Sequence, residues 1–203
     1  MGIGIIDYGM GNLRSVEKAI NHLGFDVFVS SDPQKIMTAE KVILPGVGAF
    51  GDAMLELEKR GFIQAIKEIV NRRTPLLGIC LGLQIFFEES EESAGIKGLC
   101  IFKGRVIRLR VKLKVPHIGW NQLNFPRKSS LFNGIQDNSF VYFVHSYIVV
   151  PEDEKNIIAT AEYGVKITAG VEKDNIFGVQ FHPEKSQSIG LKILDNFCAF
   201  LPK

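Results

Sequence analysis

Three side chains of this sequence can be combined into one piece of chemistry: Cys80, His182 and Glu184. Cys80 sits in Gly78-Ile-Cys80-Leu-Gly82, directly after the apolar run Pro75-Leu-Leu. A Gly-x-nucleophile-x-Gly pattern between a strand and a helix is that of an elbow, whose strained turn needs neighbours without side chains to lift one reactive group clear of the backbone. The spacing predicts a helix from Leu81 through Ile85 and Glu88 onwards, and a helix N-terminus favours thiolate over thiol. Taken alone, Cys80 fits a small buried residue at a strand end equally well.

His182-Pro-Glu184 follows the apolar residues 176–181. On an extended backbone a histidine and an acid two residues later project to the same side, and Pro183 biases His182 away from helix. One imidazole nitrogen then takes the thiol proton while the other donates to Glu184, which fixes tautomer and orientation. As a metal pair, His-x-Glu lacks a third ligand at matching spacing, so no metal is expected. Gly9-x-Gly11 has Arg14 where a dinucleotide fingerprint needs its third glycine; a tight turn capped by Asn12 is the better reading, and no cofactor is expected.

The elements that must hold these groups follow from periodicity. Residues 3–7, 26–30 and 41–44 read as strands, separated by a helical face at Leu13, Val16, Ile20 and Leu23 and by a short helix opened at Asp32-Pro33. Helical patterns run through Leu55, Leu57 and Phe62 to Val70 before the elbow strand. Alternating strands and helices predict an α/β fold with a parallel sheet. Pro45-Gly-Val-Gly48 ends the third strand; ligands of such sheets bind outside the strands' carboxyl ends, and a Gly-Val-Gly backbone can turn its N–H groups toward an anion. Residues 88–93, rich in glutamate, read as a solvated helix end, and residues 103–114 as a strand with one wet basic face, or a docking surface for an acidic partner. Pro116-His-Ile-Gly-Trp-Asn121, with the chain's one tryptophan, suits an interface or site rim. Residues 140–150, 157–163, 166–172 and 176–181 read as four short strands whose closeness implies antiparallel pairing, and residues 189–200 as a final helix.

With 203 residues, 46% of them hydrophobic and 23% charged, one domain spanning 1–203 is expected. Cys80, Cys100 and Cys198 are too widely spaced for a disulfide or metal framework, which points to a reducing cytosol. A net charge of +2 does not imply nucleic acid. Met1 to Asp7 has no basic leader and reads as a strand, not as a signal peptide or membrane span.

Gly78-Ile-Cys80-Leu-Gly82-x-Gln84 together with His182-Pro-Glu184 resembles the class I (triad) glutamine amidotransferases. Asp7-Tyr-Gly-Met-Gly-Asn12, Pro45-Gly-Val-Gly48, Pro116-His-Ile-Gly-Trp-Asn121 and Gln180-Phe-His-Pro-Glu-Lys-Ser186 narrow the resemblance to the glutaminase subunits of imidazole glycerol phosphate synthases. The resemblance implies a three-layer fold, with a mostly parallel central sheet, helices on both faces and an antiparallel C-terminal portion. It implies hydrolysis of L-glutamine through a thioester on Cys80, with His182 as base and then acid and Glu184 orienting it. It assigns the oxyanion to backbone N–H groups of Leu81 and of the Gly46-Val47-Gly48 strand, which reorients before the hole forms. It gives the glutamine head group to Gln84 and Glu92, beside the His145-Ser146-Tyr147 backbone. A (β/α)₈ cyclase subunit is the implied partner in a cytoplasmic heterodimer, with Asn12, Trp120 and Lys185 at the interface. The ammonia serves histidine biosynthesis, or in a paralogous subunit another acceptor such as a surface-sugar precursor.

Overall fold

The computed structural model describes residues 2–201; Met1, Pro202 and Lys203, at the ends of the expected 1–203 domain, lie outside the described residues. The first half runs β1 (Ile3–Ile6), α1 (Leu13–His22), β2 (Val27–Ser30), α2 (Pro33–Ile36), β3 (Lys41–Gly46), α3 (Phe50–Lys59), α4 (Phe62–Asn71), β4 (Leu76–Cys80) and α5 (Leu81–Gln84). The second is mostly strands: β5 (Glu89–Ser90), β6 (Gly104–Arg108), β7 (His117–Gln122), β8 (Phe140–His145), β9 (Tyr147–Pro151), β10 (Ile157–Glu162), β11 (Lys166–Lys173) and β12 (Ile176–Val179), closed by α6 (Gln187–Cys198).

Seven strands form the central sheet in the order β10-β11-β12-β4-β3-β1-β2. From β12 to β2 every pairing is parallel, while β10–β11 and β11–β12 are antiparallel. Successive side chains leave a strand on opposite faces, and the apolar residues divide accordingly. Ile5, Ile43, Leu77, Ile79, Phe177 and Val179 enter one core with Val16 and Ile20 of α1 and Ile193, Leu194 and Phe197 of α6. Ile6, Val42, Leu44, Leu76 and Ile176 enter another with residues of α3 and α4. This is the expected three-layer α/β architecture. Two smaller sheets, β5-β6-β9 and β7-β8, complete it. No helix among the described residues is long and apolar enough to cross a membrane.

Several local expectations need correcting. The helix after the elbow is a single turn: carbonyls of Ile85, Phe86 and Glu88 accept from Leu99, Ile101, Phe102 and Gly98, so the backbone pairs with a distant segment instead of with itself. Residues 88–93 are therefore no helix end. Their carboxylates take backbone N–H groups from elsewhere: Glu88 from Gly104 (2.9 Å), Glu91 from Arg108 (2.9 Å) and Glu92 from Phe50 (2.7 Å). The basic stretch is regular strand only at Gly104–Arg108, and Glu91 pairs with Arg110 at 2.9 Å, drawing down its charge. Residues 140–150 break at Ser146 into β8, paired with β7, and β9, paired with β6. Gly61, at φ +76°, separates α3 from α4, and Leu55 on α3 faces solvent. Asn12 heads α1, but its side chain makes no capping bond.

Candidate active site

Cys80 ends β4, at the carboxyl edge of the sheet, and its register partner in β3 is Gly46. Its backbone lies at φ +55°, ψ −106°, a region that costs a residue with a side chain about 1–3 kcal/mol. The flanking glycines make that turn possible. A Cβ at Gly82 would run into the Leu44 carbonyl, and one at Gly78 would stand 2.7 Å from the Gly82 backbone and 2.6 Å from Phe86. The elbow folds back on the strand so closely that neither position has room for a methyl group. Because α5 is only four residues long, its dipole is a minor influence on Cys80; the charge that faces the thiol comes from His182.

His182 is 3% exposed, and its Nδ1 lies 2.8 Å from Glu184 Oε1. The pair does not meet across an extended strand. Pro183 opens a 3-10 turn over Pro183–Lys185, and that turn brings the acid round to the ring. The Glu184 side chain is 1% exposed, and its Oε2 has no partner among the described residues. Burial works against an imidazolium here, but the hydrogen bonds to Cys80 and Glu184, and the negative charge of both, outweigh it and raise His182 to about 9. Since Nδ1 is committed to Glu184, Nε2 is the nitrogen left for Cys80. The His182 N–H bonds to the Tyr142 carbonyl (2.9 Å), and Ser186 Oγ ties the His182 carbonyl (2.7 Å) to the Tyr142 N–H (3.0 Å). Ser186 is thus a strut between the histidine turn and β8.

Cys80 and His182 open into a cleft of about 250 Å³ lined by Val47, Gly48, Leu81, Gln84, Glu92, Val144, His145, Ser146, Tyr147 and Lys185. Of the expected site residues, Gly46 lies beneath the cleft, packed against Leu81 and Tyr8. The Tyr8 hydroxyl is buried without a partner among the described residues, and burial followed by the nearness of Cys80 pushes its ionisation up. Glu92 has a second task besides lining the cleft: its Oε2 caps α3 at Phe50, whose N-cap residue, Ala49, makes no side-chain cap.

A run of hydrogen bonds reaches the cleft wall from β7. His145 Nδ1 must donate to the Tyr147 carbonyl (3.0 Å), because a carbonyl only accepts. His145 Nε2 then accepts from His117 Nδ1 (3.0 Å), and His117 Nε2 faces Asn121 Nδ2 (3.4 Å). Both rings are neutral in this arrangement. Burial lowers His117 to about 4; burial, then the His117 charge, lowers His145 to about 3. The same Tyr147 carbonyl accepts from Gln84 Nε2 (3.1 Å), which also reaches Gln180 Oε1 (3.2 Å), and Gln180 Nε2 lies 3.7 Å from Cys80 Sγ. Gln180 and Ser186 belong to the Gln180–Ser186 motif, yet nothing in their spacing marks them as part of the site; only the fold brings them to it.

Around the cleft mouth, Lys185 is exposed, and α1, headed by half-buried Asn12, packs against the Pro183–Lys185 turn. Ile118, Trp120 and Phe140 are exposed on one face of the β7–β8 sheet, at 56%, 45% and 52%. Trp120 stands edge-on to Tyr142.

The sequence profile of the family "Glutamine amidotransferase class-I" matches residues 4–200. The chain is 53% identical over 195 residues to the imidazole glycerol phosphate synthase subunit HisH of Moorella thermoacetica, covering 96% of this chain and 93% of that one. It is 52% identical over 194 residues to the HisH subunit of Aquifex aeolicus, covering 95% and 94%. The chain is a class-I glutamine amidotransferase of the HisH family. Solved structures share its fold at low identity. One described as a glutamine amidotransferase superposes with a TM-score of 0.77 at 17% identity, covering 97% of this chain and 99% of that one. PurLQS from Thermotoga maritima gives 0.72 at 20% identity, covering 97% and 98%. In this HisH-family chain the cleft, the elbow and the buried His182–Glu184 pair therefore sit on a fold shared well beyond its near relatives.

Proposed function

We propose that this chain is the glutaminase subunit of an imidazole glycerol phosphate synthase, a single unit that hydrolyses L-glutamine and passes the ammonia to a (β/α)₈ cyclase in the cytoplasm. The observation that carries the chemistry is the geometry at Cys80: a thiol on a strained elbow, facing a buried imidazole whose far nitrogen is held by Glu184 at 2.8 Å. The observation that carries the acceptor is about 50% identity to HisH subunits over nearly the whole chain.

In the forward step Cys80 sulfur, its proton already held on His182 Nε2, attacks the side-chain amide carbon of glutamine. The oxyanion is met by the backbone N–H of Leu81 and by those of the Val47-Gly48 segment across the cleft. His182 returns the proton to the amide nitrogen, the C–N bond breaks and ammonia leaves, with the glutamyl group on sulfur as a thioester. Water then attacks that carbon, giving one proton to His182; the C–S bond breaks, glutamate departs and the protonated His182 again faces the Cys80 sulfur. Glu184 stays ionised and holds the imidazole orientation through both steps. Gln84 uses both amide N–H groups on Tyr147 and Gln180, which leaves its carbonyl oxygen for the substrate's amino group. Glu92, on the same wall, supplies the charge that suits an α-ammonium.

The cyclase docks over the cleft mouth, on Trp120 and the neighbouring exposed apolar residues, with Asn12 and Lys185 at the same interface. An exposed tryptophan set among apolar neighbours on a small sheet is the kind of anchor such interfaces use. Release of glutamate by the chain alone, and with its cognate cyclase loaded with the cyclase's nucleotide ligand, tests the reading. The expected result is slow release alone and a rise of at least about tenfold in the complex; no release in either condition rejects it.

A further inference from the structure

Gln180 follows β12, is 0% exposed, and is pinned by its own N–H to the Ala169 carbonyl at 2.9 Å. Its side chain is enclosed on all sides. The Tyr147 carbonyl only accepts, so Gln84 must present its amino group there, and the second N–H of that group then points at Gln180. Gln180 has to answer with its oxygen, which leaves its Nε2 facing Cys80 Sγ at 3.7 Å. On another side of the sulfur, the Val144 carbonyl also stands at 3.7 Å, an acceptor suited to S–H and unfavourable to a thiolate.

Resting on the glutaminase reading, we infer that Gln180 is a positioning residue for both halves of the reaction. Its N–H supports negative charge on Cys80 Sγ against the Val144 carbonyl, and its oxygen holds the Gln84 amide so that the Gln84 carbonyl is presented to the substrate. Nucleophile and substrate contact are thereby fixed by one buried side chain, which touches neither substrate nor the transferred proton.

The test compares Gln180→Met, which keeps length and volume without donor or acceptor, with Gln180→Glu, which keeps an acceptor for Gln84 but aims an oxygen at sulfur. Alkylation of the full chain by iodoacetamide is followed across pH at the level of individual peptides. The exposed Cys100 serves as an internal control, and urea midpoints verify folding. Loss of one hydrogen bond to a charged group predicts that Cys80 alkylation at pH 7 slows roughly 10- to 100-fold in both variants. The half-maximal pH moves upward, more for Gln180→Glu, while Cys100 is unaffected. In the complex with the cyclase, Gln180→Met also raises KM for glutamine, whereas Gln180→Glu acts mainly on kcat. A Cys80 profile in folded Gln180→Met that superposes on that of the unmodified chain overturns the inference. Because alkylation needs neither glutamine nor partner, an absence of glutamate release alongside the predicted shift rejects the glutaminase reading alone.

Discussion

At the scale of single residues, the proposed mechanism depends on holding His182 where its charge is useful. The imidazole is buried, which by itself disfavours the cation, yet its contacts to Cys80 and Glu184 raise it to about 9. A histidine whose folded value lies above its ordinary value near 6.5 contributes stability that is complete below about pH 6.5 and is lost as pH rises toward 9. Glu184→Gln can still accept from Nδ1 but carries no charge. We predict that it shifts the His182 titration, followed by NMR, to lower pH. Glutamate release in the complex should fall by about 10²- to 10⁴-fold, as expected when the orienting carboxylate is neutralised. An unchanged titration would remove Glu184 from this role. Cys80, His182 and Glu184 were legible in the sequence because each carries a local signature, glycines at fixed spacing or a His-Pro-Glu run. Gln180 was not, since its meaning lies in Gln84, 96 positions away.

At the scale of elements, the elbow depends on two absent methyl groups. Gly82→Ala would drive its Cβ into the Leu44 carbonyl, a backbone atom of a central strand that cannot swing aside. We predict a loss of about 3 kcal/mol or more in urea denaturation, with glutaminase activity falling in step as Cys80 is displaced; a change under about 1 kcal/mol would mean that the elbow is looser than its geometry implies. The strands feeding the elbow were readable as apolar runs between helical periods. The element after it was not: residues 81–87 are all buried, and where every side is apolar, periodicity cannot separate a helix from a packed connection. The break at Ser146 was hidden for a related reason. A run of strand-forming residues does not say which strand it pairs with, and here β8 and β9 pair in different sheets.

At the scale of the molecule, the carboxyl ends of β3 and β4 and the chain just past β12 meet at one cleft, so the sheet gathers residues near positions 47, 80 and 182 that are far apart in sequence. The order of the parallel strands follows from alternating strand and helix patterns, which is why the fold class could be read at the outset. What could not be read were the side-chain ties that span the fold. Glu92 caps a helix that begins 42 residues earlier, and His117 meets His145 across 28 residues; neither pair has any signature in sequence spacing. Through the His117–His145 tie the cleft wall is connected to β7, the strand that presents Trp120. The central claim remains the covalent role of Cys80. Its most direct test is to quench the complex with acid during turnover of glutamine and to map modified peptides by mass spectrometry. The account predicts a γ-glutamyl adduct on the Cys80 peptide alone, and none, with no glutamate released, in Cys80→Ala. Glutamate release that persists in Cys80→Ala, or steady turnover with the adduct on another residue, would contradict it.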